Sequence, residues 1–235
     1  NYDEEFKKLF KIKADFDVEM KRTRENVEKF ASFISCISVR ENIKQFKKEA
    51  VCKVIEYSSR LAGDKDKLST RFNDIMEVLY ESNTWAKIAS HEYVEAEDVK
   101  KALEKKEQRS NLIEEKIREM IEKNHILVDV QGKEVGQING LSVYQTGEYA
   151  FGRPSRITAR TYMGKEGVIN IERKVDMSGK IHNKGVMILS GFIGEKYARE
   201  KPLTLSASLA FEQSYGGIDG DSASCAELIA LLSAI

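Results

Sequence analysis

Leu203-Thr-Leu-Ser-Ala-Ser-Leu-Ala-Phe211, Glu212-Gln-Ser-Tyr-Gly-Gly-Ile-Asp-Gly-Asp221 and Ser222-Ala-Ser-Cys-Ala-Glu-Leu-Ile229 read in succession as a strand, a glycine-rich turn and a helix opening on a serine. Alternating apolar residues mark the strand. Gly216, Gly217 and Gly220 permit a tight turn after it. The first helical amides have no partner within the helix and face whatever lies above Ser222. Serine attack on a carbonyl needs such donors, because negative charge develops on the substrate oxygen.

The chain around this segment has 235 residues, enough for one large or two small domains with a workable core. Lys plus Arg balances Asp plus Glu at 38 each, so no net field draws the chain to nucleic acid or an acidic membrane. Charged residues make up 32% and hydrophobic ones 41%, a composition that implies a hydrated globular protein. No apolar run reaches membrane-spanning length and Asn1 to Lys8 has no signal-peptide core, so a cytoplasmic location is expected. Cys36, Cys52 and Cys225 lack C-x-x-C spacing and read as reduced, mostly buried thiols. His91, His125 and His182 stand apart from one another and from the cysteines, and no metal site is expected.

A composition shift divides the chain. Of 15 glycines only Gly63 precedes residue 132, and both prolines, Pro154 and Pro202, follow it. The first half therefore reads as helical and the second as turn-rich with strands. Helical stripes run through Met20, Val27, Phe30, Ala31 and Ile34, then Val51, Val54, Ile55 and Ser58. Leu68, Phe72, Ile75, Met76 and Leu79 predict a third helix, and Val99, Ala102 and Leu103 a fourth. Leu9 to Asp17 alternates like a strand whose partners lie outside the chain. A charged connecting helix over Ser110 to Asn124 presents Ile113, Ile117, Met120 and Ile121 on one face. Strands are expected over Ile126–Val130, Gly136–Tyr144, Ser155–Met163 and Gly167–Val175, and helices over Lys184–Tyr197 and Ser222–Ile235. The fold class is thus α+β, a helical bundle followed by a mixed α/β domain.

Asp219-Gly-Asp-Ser-Ala-Ser224, with the upstream Phe211-Glu-Gln-Ser-Tyr215 and Gly179-Lys-Ile-His-Asn-Lys-Gly-Val-Met-Ile-Leu-Ser-Gly191, resembles the proteolytic domain of Lon proteases, in particular the LonB-like branch. Ser59-Arg-Leu-Ala-Gly-Asp-Lys-Asp-Lys-Leu-Ser-Thr-Arg-Phe72 is similar to the small helical lid of that family's AAA+ ATPase module. Lys11 to Asp17 looks like the last strand of its large nucleotide-binding subdomain. The resemblance implies four segments: 1–18 as the tail of the nucleotide-binding subdomain, 19–108 as the lid, 109–125 as a linker helix, and 126–235 as a truncated proteolytic domain of ribosomal protein S5 domain 2-like fold.

It also implies chemistry. The family cleaves peptide bonds with a serine nucleophile, here Ser222, and a lysine base whose pKa is lowered by desolvation. That lysine follows the serine by a few dozen residues in the family, whereas no lysine follows Ser222 here. Either the chain is a piece of a longer enzyme, or an upstream group such as Lys201 or His182 has taken over. The missing phosphate loop, G-x-x-x-x-G-K-[ST], favours the first, and this chain alone is expected neither to hydrolyse ATP nor to cleave protein efficiently. Asp219, Gly220 and Asp221 are implied at the active site, as support or near the oxyanion amides. Arg71 matches the arginine that senses the nucleotide phosphate from the lid. The longer enzyme is implied to use ATP with Mg, to take unfolded or damaged proteins as substrates and to form a ring, usually a hexamer. Membrane and nucleic acid are not expected partners.

Simpler readings stand beside these. Ser224 and Glu227 fit an S-x-x-E capping box with no catalytic purpose. Asp219 and Asp221 complement the positive end of a helix. Arg71 fits a surface ion pair with Asp66 or Asp74. Arg153, Arg156, Arg160, Arg173, Lys174, Lys180 and Lys184 also allow a non-catalytic interaction or nucleic-acid-binding module on the same fold, although no aromatic interleaving accompanies them.

Overall fold

The computed structural model describes residues 6–147, 149–199, 205–214 and 216–235. They divide into two compact units, one ending at Arg109 and the other starting at Ser110. Lys201, Pro202 and Tyr215 lie outside the described residues.

The first unit begins with a short helix α1 (Phe6–Leu9) and a three-residue strand β1 (Glu19–Lys21). Helices α2 (Arg24–Arg40) and α3 (Lys48–Ala62), strand β2 (Lys67–Ser69), and helices α4 (Phe72–Ile88) and α5 (Ala96–Ser110) follow. Thr23 starts α2 by accepting the Asn26 amide at 3.2 Å, as a β-region hydroxyl residue does at a helix N-terminus. Phe30, Ile34 and Ile37 from α2 meet Val54 and Ile55 from α3 and Ile75, Val78 and Leu79 from α4 in one core. Burying each such side chain contributes about 1.5–3 kcal/mol.

Two expectations change here. Met20 and Leu68 were read as the first members of helical stripes, yet they face each other in the antiparallel β1–β2 ribbon. Leu68 lies four residues before Phe72 and so mimics a helical repeat, but its neighbours pair across strands. Residues 10–17 form no strand; Phe10, Ile12 and Phe16 are exposed. An isolated extended segment leaves its backbone groups without a ladder.

The second unit opens with α6 (Leu112–Glu122), which buries none of its residues. Strand β3 (Gln137–Thr146) then pairs antiparallel with β4 (Tyr149–Met163), in register from Gln137 opposite Thr158 to Thr146 opposite Tyr149. After β5 (Gly167–Asn170) come α7 (Ile171–Lys174), α8 (Lys180–Tyr197), β6 (Leu205–Phe211) and α9 (Ser224–Ala234). The sheet order is β3-β4-β6-β5, with β5 parallel to β6.

The strand expected to continue to Val175 stops at Asn170, whose side chain accepts the Arg173 amide at 3.3 Å and starts α7. Residues 127–130 stay irregular; Asp129 instead receives the side chains of Gln137, Asn139 and Arg156. Val186, Leu189 and Ile193 of α8 and Ala230 and Leu231 of α9 pack with Ile157, Ala159, Ala207 and Leu209 of the sheet. Strand β6 thus leads from the middle of the sheet directly into the glycine-rich turn.

Candidate active site

The turn after β6 is held by its own backbone. Ile218 donates to the Met177 carbonyl at 2.9 Å and Gly179 donates to the Ile218 carbonyl at 2.7 Å, so the turn runs beside the segment that enters α8. Asp219 then reaches the start of that helix. Its Oδ1 accepts the His182 amide at 3.4 Å and the Gly220 amide at 2.8 Å. Gly179, the residue preceding α8, has no side chain to cap it; a Cβ there would stand 2.3 Å from the Asp219 carboxyl carbon. Asp219 takes over the capping role, and those backbone N–H groups, that of Gly220 foremost, hold its carboxyl below the ordinary carboxylate value.

Gly220 adopts a φ of +92°, which turns the chain toward α9. Its amide is already given to Asp219. The next acceptor in use is the Asp221 carbonyl, bonded by the Ser224 amide at 3.1 Å. The amides of Asp221, Ser222 and Ala223 have no acceptor among the described residues. Ser222 itself is exposed on the turn, and its hydroxyl makes no hydrogen bond among the described residues. An exposed hydroxyl flanked by unused N–H groups can approach a carbonyl carbon while those groups approach its oxygen.

Helix α9 begins at Ser224, two residues later than expected. The capping box does not form: Ala223 occupies the cap with no side-chain bond, and Glu227 turns inward to His182. Burial of Glu227 explains the difference, because inside the unit its carboxylate meets the His182 ring nitrogen at 2.9 Å, a partner that a helix end does not offer. Ser224 faces Gly185 of α8 instead; a Cβ on Gly185 would lie 2.6 Å from Ser224 Oγ and 3.4 Å from Asp221 Cβ. An apolar groove of about 400 Å³ runs between the two helices, lined by Ile188, Leu189, Phe192 and Leu228 and closed near the turn by Asp221 and Ser224.

His182, weighed as an upstream base, is fully buried and does not serve Ser222. Its Nδ1 lies 2.7 Å from Ser178 Oγ and its Nε2 2.9 Å from Glu227 Oε1, so both nitrogens are engaged. The Glu227 carboxylate raises the imidazole pKa above its ordinary value. Sequence reasoning treated this histidine as isolated. Ser178 precedes α8 and pairs with Ile218, so helical spacing gave no signal for its contact with His182, and the link to Glu227, 45 residues away, had none either.

Of the basic residues that suggested a nucleic-acid surface, two are occupied internally. Arg153 donates to the Gln213 carbonyl at 3.3 Å and to the Tyr144 hydroxyl at 3.2 Å. Arg156 pairs with Asp129 at 2.7 Å and Glu212 at 3.6 Å. Cys36, Cys52 and Cys225 are exposed free thiols rather than buried ones. Among the described residues no group of three His, Cys, Asp or Glu is arranged to hold a metal, and no helix is long and apolar enough to cross a membrane.

In the first unit, Arg71 is exposed at the cap position of α4. Its backbone amide donates to Ser69 Oγ at 3.1 Å, and its guanidinium pairs with neither Asp66 nor Asp74.

Comparison with known proteins bears on both units. Residues 45–109 match the family described as the archaeal LonB AAA+ ATPase lid domain. A Lon protease homolog of Escherichia coli (strain K12) is 38% identical over 160 residues, which cover 67% of this chain and 27% of that protein. One from Haemophilus influenzae (strain ATCC 51907 / DSM 11121 / KW20 / Rd) is 48% identical over 112 residues, 47% of this chain and 19% of the relative. The archaeal Lon protease of Methanothermobacter thermautotrophicus is 28% identical over 220 residues, covering 92% of this chain and 33% of the relative. The chain thus spans between 19% and 33% of the length of these three relatives. With a lid match in its first unit and Lon similarity running across both, the chain belongs to the Lon protease family, on its LonB-like branch.

Proposed function

We propose that this chain is part of an ATP-dependent endopeptidase that degrades unfolded or damaged proteins, with Ser222 as the nucleophile. The observation that carries the reading is the Ser222 turn: an exposed hydroxyl between unused amides, braced by Asp219 on one side and by the start of α9 on the other. Ser222 Oγ attacks the scissile carbonyl as its proton passes to a lysine supplied by the longer protein; the lysine returns the proton to the leaving amine as the C–N bond breaks, and water then hydrolyses the acyl-enzyme. Oxyanion charge falls on the amides of Asp221, Ser222 and Ala223, since Gly220 has spent its own on Asp219. Asp221, next to the nucleophile, is the neighbouring acid that holds the lysine in place.

In the lid unit the exposed guanidinium of Arg71 suits a nucleotide phosphate, and the fit rests on its lack of an internal anion. The bound nucleotide with Mg supplies the free energy for moving polypeptide. Arg71 contributes a positive charge fixed at the head of α4. Family membership supports a closed homo-oligomeric ring, a hexamer, working in the cytoplasm. Without the lysine and the phosphate loop, the 235-residue chain is itself inactive.

Treating the full-length protein with a fluorophosphonate and mapping the adduct tests this. The adduct is expected on Ser222, to be lost in Ser222→Ala together with peptide cleavage, while ATP hydrolysis is retained. Peptide cleavage that survives Ser222→Ala removes the nucleophile assignment.

A further inference from the structure

The hydrogen bonds around His182 restrict where its protons sit. Ser178 Oγ lies 2.9 Å from Asn183 Oδ1, which only accepts; the Asn183 amide group donates to the Ser178 carbonyl at 3.4 Å, and this sets the orientation of that side chain. The single Ser178 proton therefore goes to Asn183. Ser178 Oγ, 2.7 Å from Nδ1, must then accept a proton from the ring. On the opposite side Glu227 Oε1, at 2.9 Å, accepts from Nε2–H. With the Glu227 carboxylate as acceptor, both ring nitrogens carry hydrogen, which is the imidazolium form.

Its surroundings agree. Glu227 faces it from α9, Glu172 from α7 and Asp219 from the turn, while Ser178 and Asn183 flank it from the segment entering α8 and from α8. The Phe211 ring of β6 meets it edge-on at 5.5 Å. Glu172 and Glu227 are both buried and each keeps one carboxylate oxygen without a partner among the described residues. Two buried carboxylates with incomplete hydrogen bonding are costly unless a cation lies among them.

We propose that His182 is held as a buried imidazolium and is the positioning residue of the Ser222 turn. Through Ser178 it fixes the entry of α8, through its own amide it holds Asp219, and through Glu227 it fixes α9 five residues past Ser222. The turn is clamped between exactly those attachments on either side of it. Neutral His182 keeps one N–H and loses one of its two side-chain links. The claim that this positioning serves catalysis rests on the proposed function; the protonation and the clamping do not.

Mass spectrometry of the full-length protein reads both. Exchange of the imidazole C2 hydrogen across pH is expected to give His182 a midpoint above the ordinary 6.5, falling in Glu227→Gln. A midpoint at or below that value overturns the imidazolium. Amide exchange at Ile218 and Gly220, the two hydrogen-bonded N–H groups of the turn, is expected to rise about tenfold or more in His182→Gln, with α2 to α5 unchanged. Should His182→Gln unfold the whole second unit, Ser178→Ala, which removes the Nδ1 acceptor together with the Ser178 bond to Asn183, is read in its place. Turn exchange that does not change in the readable variant overturns the clamp. The rate of Ser222 phosphonylation separates the two readings. A wild-type protein that is not phosphonylated, but whose turn responds to His182→Gln, defeats the nucleophile and upholds the clamp. Phosphonylation indifferent to His182→Gln defeats the positioning role and upholds the nucleophile.

Discussion

Asp219 Oδ1 accepts the backbone amide of His182 at 3.4 Å, so a residue of the glycine-rich turn caps α8 through a contact that spans 37 residues of sequence. This couples the turn to pH through two groups of opposite sign. Asp219 has a lowered pKa, so its contribution is present above the ordinary aspartate value of 3.8 and is lost as pH falls through the lowered one. His182 has a raised pKa, so its contribution is complete below 6.5 and is lost as pH rises through the raised one. The second unit is therefore expected to be most stable between these limits. Thermal melts of wild type and Asp219→Asn across pH check it: the variant melts a few degrees lower near neutrality and the difference vanishes in acid. A difference that persists there contradicts the cap.

Gly185 and Ser224 are a matched pair. Gly185→Ala is expected to destabilise the second unit by about 1–3 kcal/mol, because the new methyl meets Ser224 Oγ at 2.6 Å. Ser224→Ala removes that oxygen and leaves Asp221 Cβ, at 3.4 Å, as the nearest atom. Urea denaturation of the two single variants and the double variant should show a non-additive recovery of at least about 0.5 kcal/mol. Strict additivity would mean the helices are not in contact there.

Arg71→Ala tests the lid without disturbing it. The side chain is exposed and unpaired with the nearby acids, so stability should move by less than about 0.5 kcal/mol. ATP hydrolysis by the full-length protein should fall sharply. Hydrolysis at the wild-type rate returns Arg71 to an ordinary surface residue.

Within the first unit, Arg109 grips Glu81 with two nitrogens, at 2.8 and 2.6 Å. This fork lowers the Glu81 pKa, so its stabilisation is present above the ordinary value of 4.5 and disappears as pH falls through the lowered one. Glu81→Gln should cost about 0.5–1 kcal/mol at neutral pH, measured by urea titration of α4 and α5 signals. No loss would mean that water replaces the fork at no expense.

Much of the first unit is legible from periodicity. Val54, Ile55, Ile75 and Leu79 are all buried where their spacing placed them, because a helix face is a local property of the chain. Met20 and Leu68 misled for the same reason: a three-residue strand carries too few residues to show its own period, and the adjoining helix absorbs its single apolar side chain. At the candidate site, the strand, the glycine turn and the helix were legible as a sequence of local preferences. Glu227 was misread because a capping box and a buried ion pair use the same residue types, and only burial distinguishes them.

By itself, then, the order of residues determined two units of different composition, the positions of most helices and strands, and a serine at the end of a glycine turn. Those features arise from backbone preference and from apolar spacing over a few residues. Tertiary structure alone decided that Asp219 caps α8, that Gly185 admits Ser224, and that Ser178, His182 and Glu227 form one buried network. Each of these joins residues tens of positions apart, where proximity comes from packing of α8 and α9 on the sheet, and no local preference encodes it.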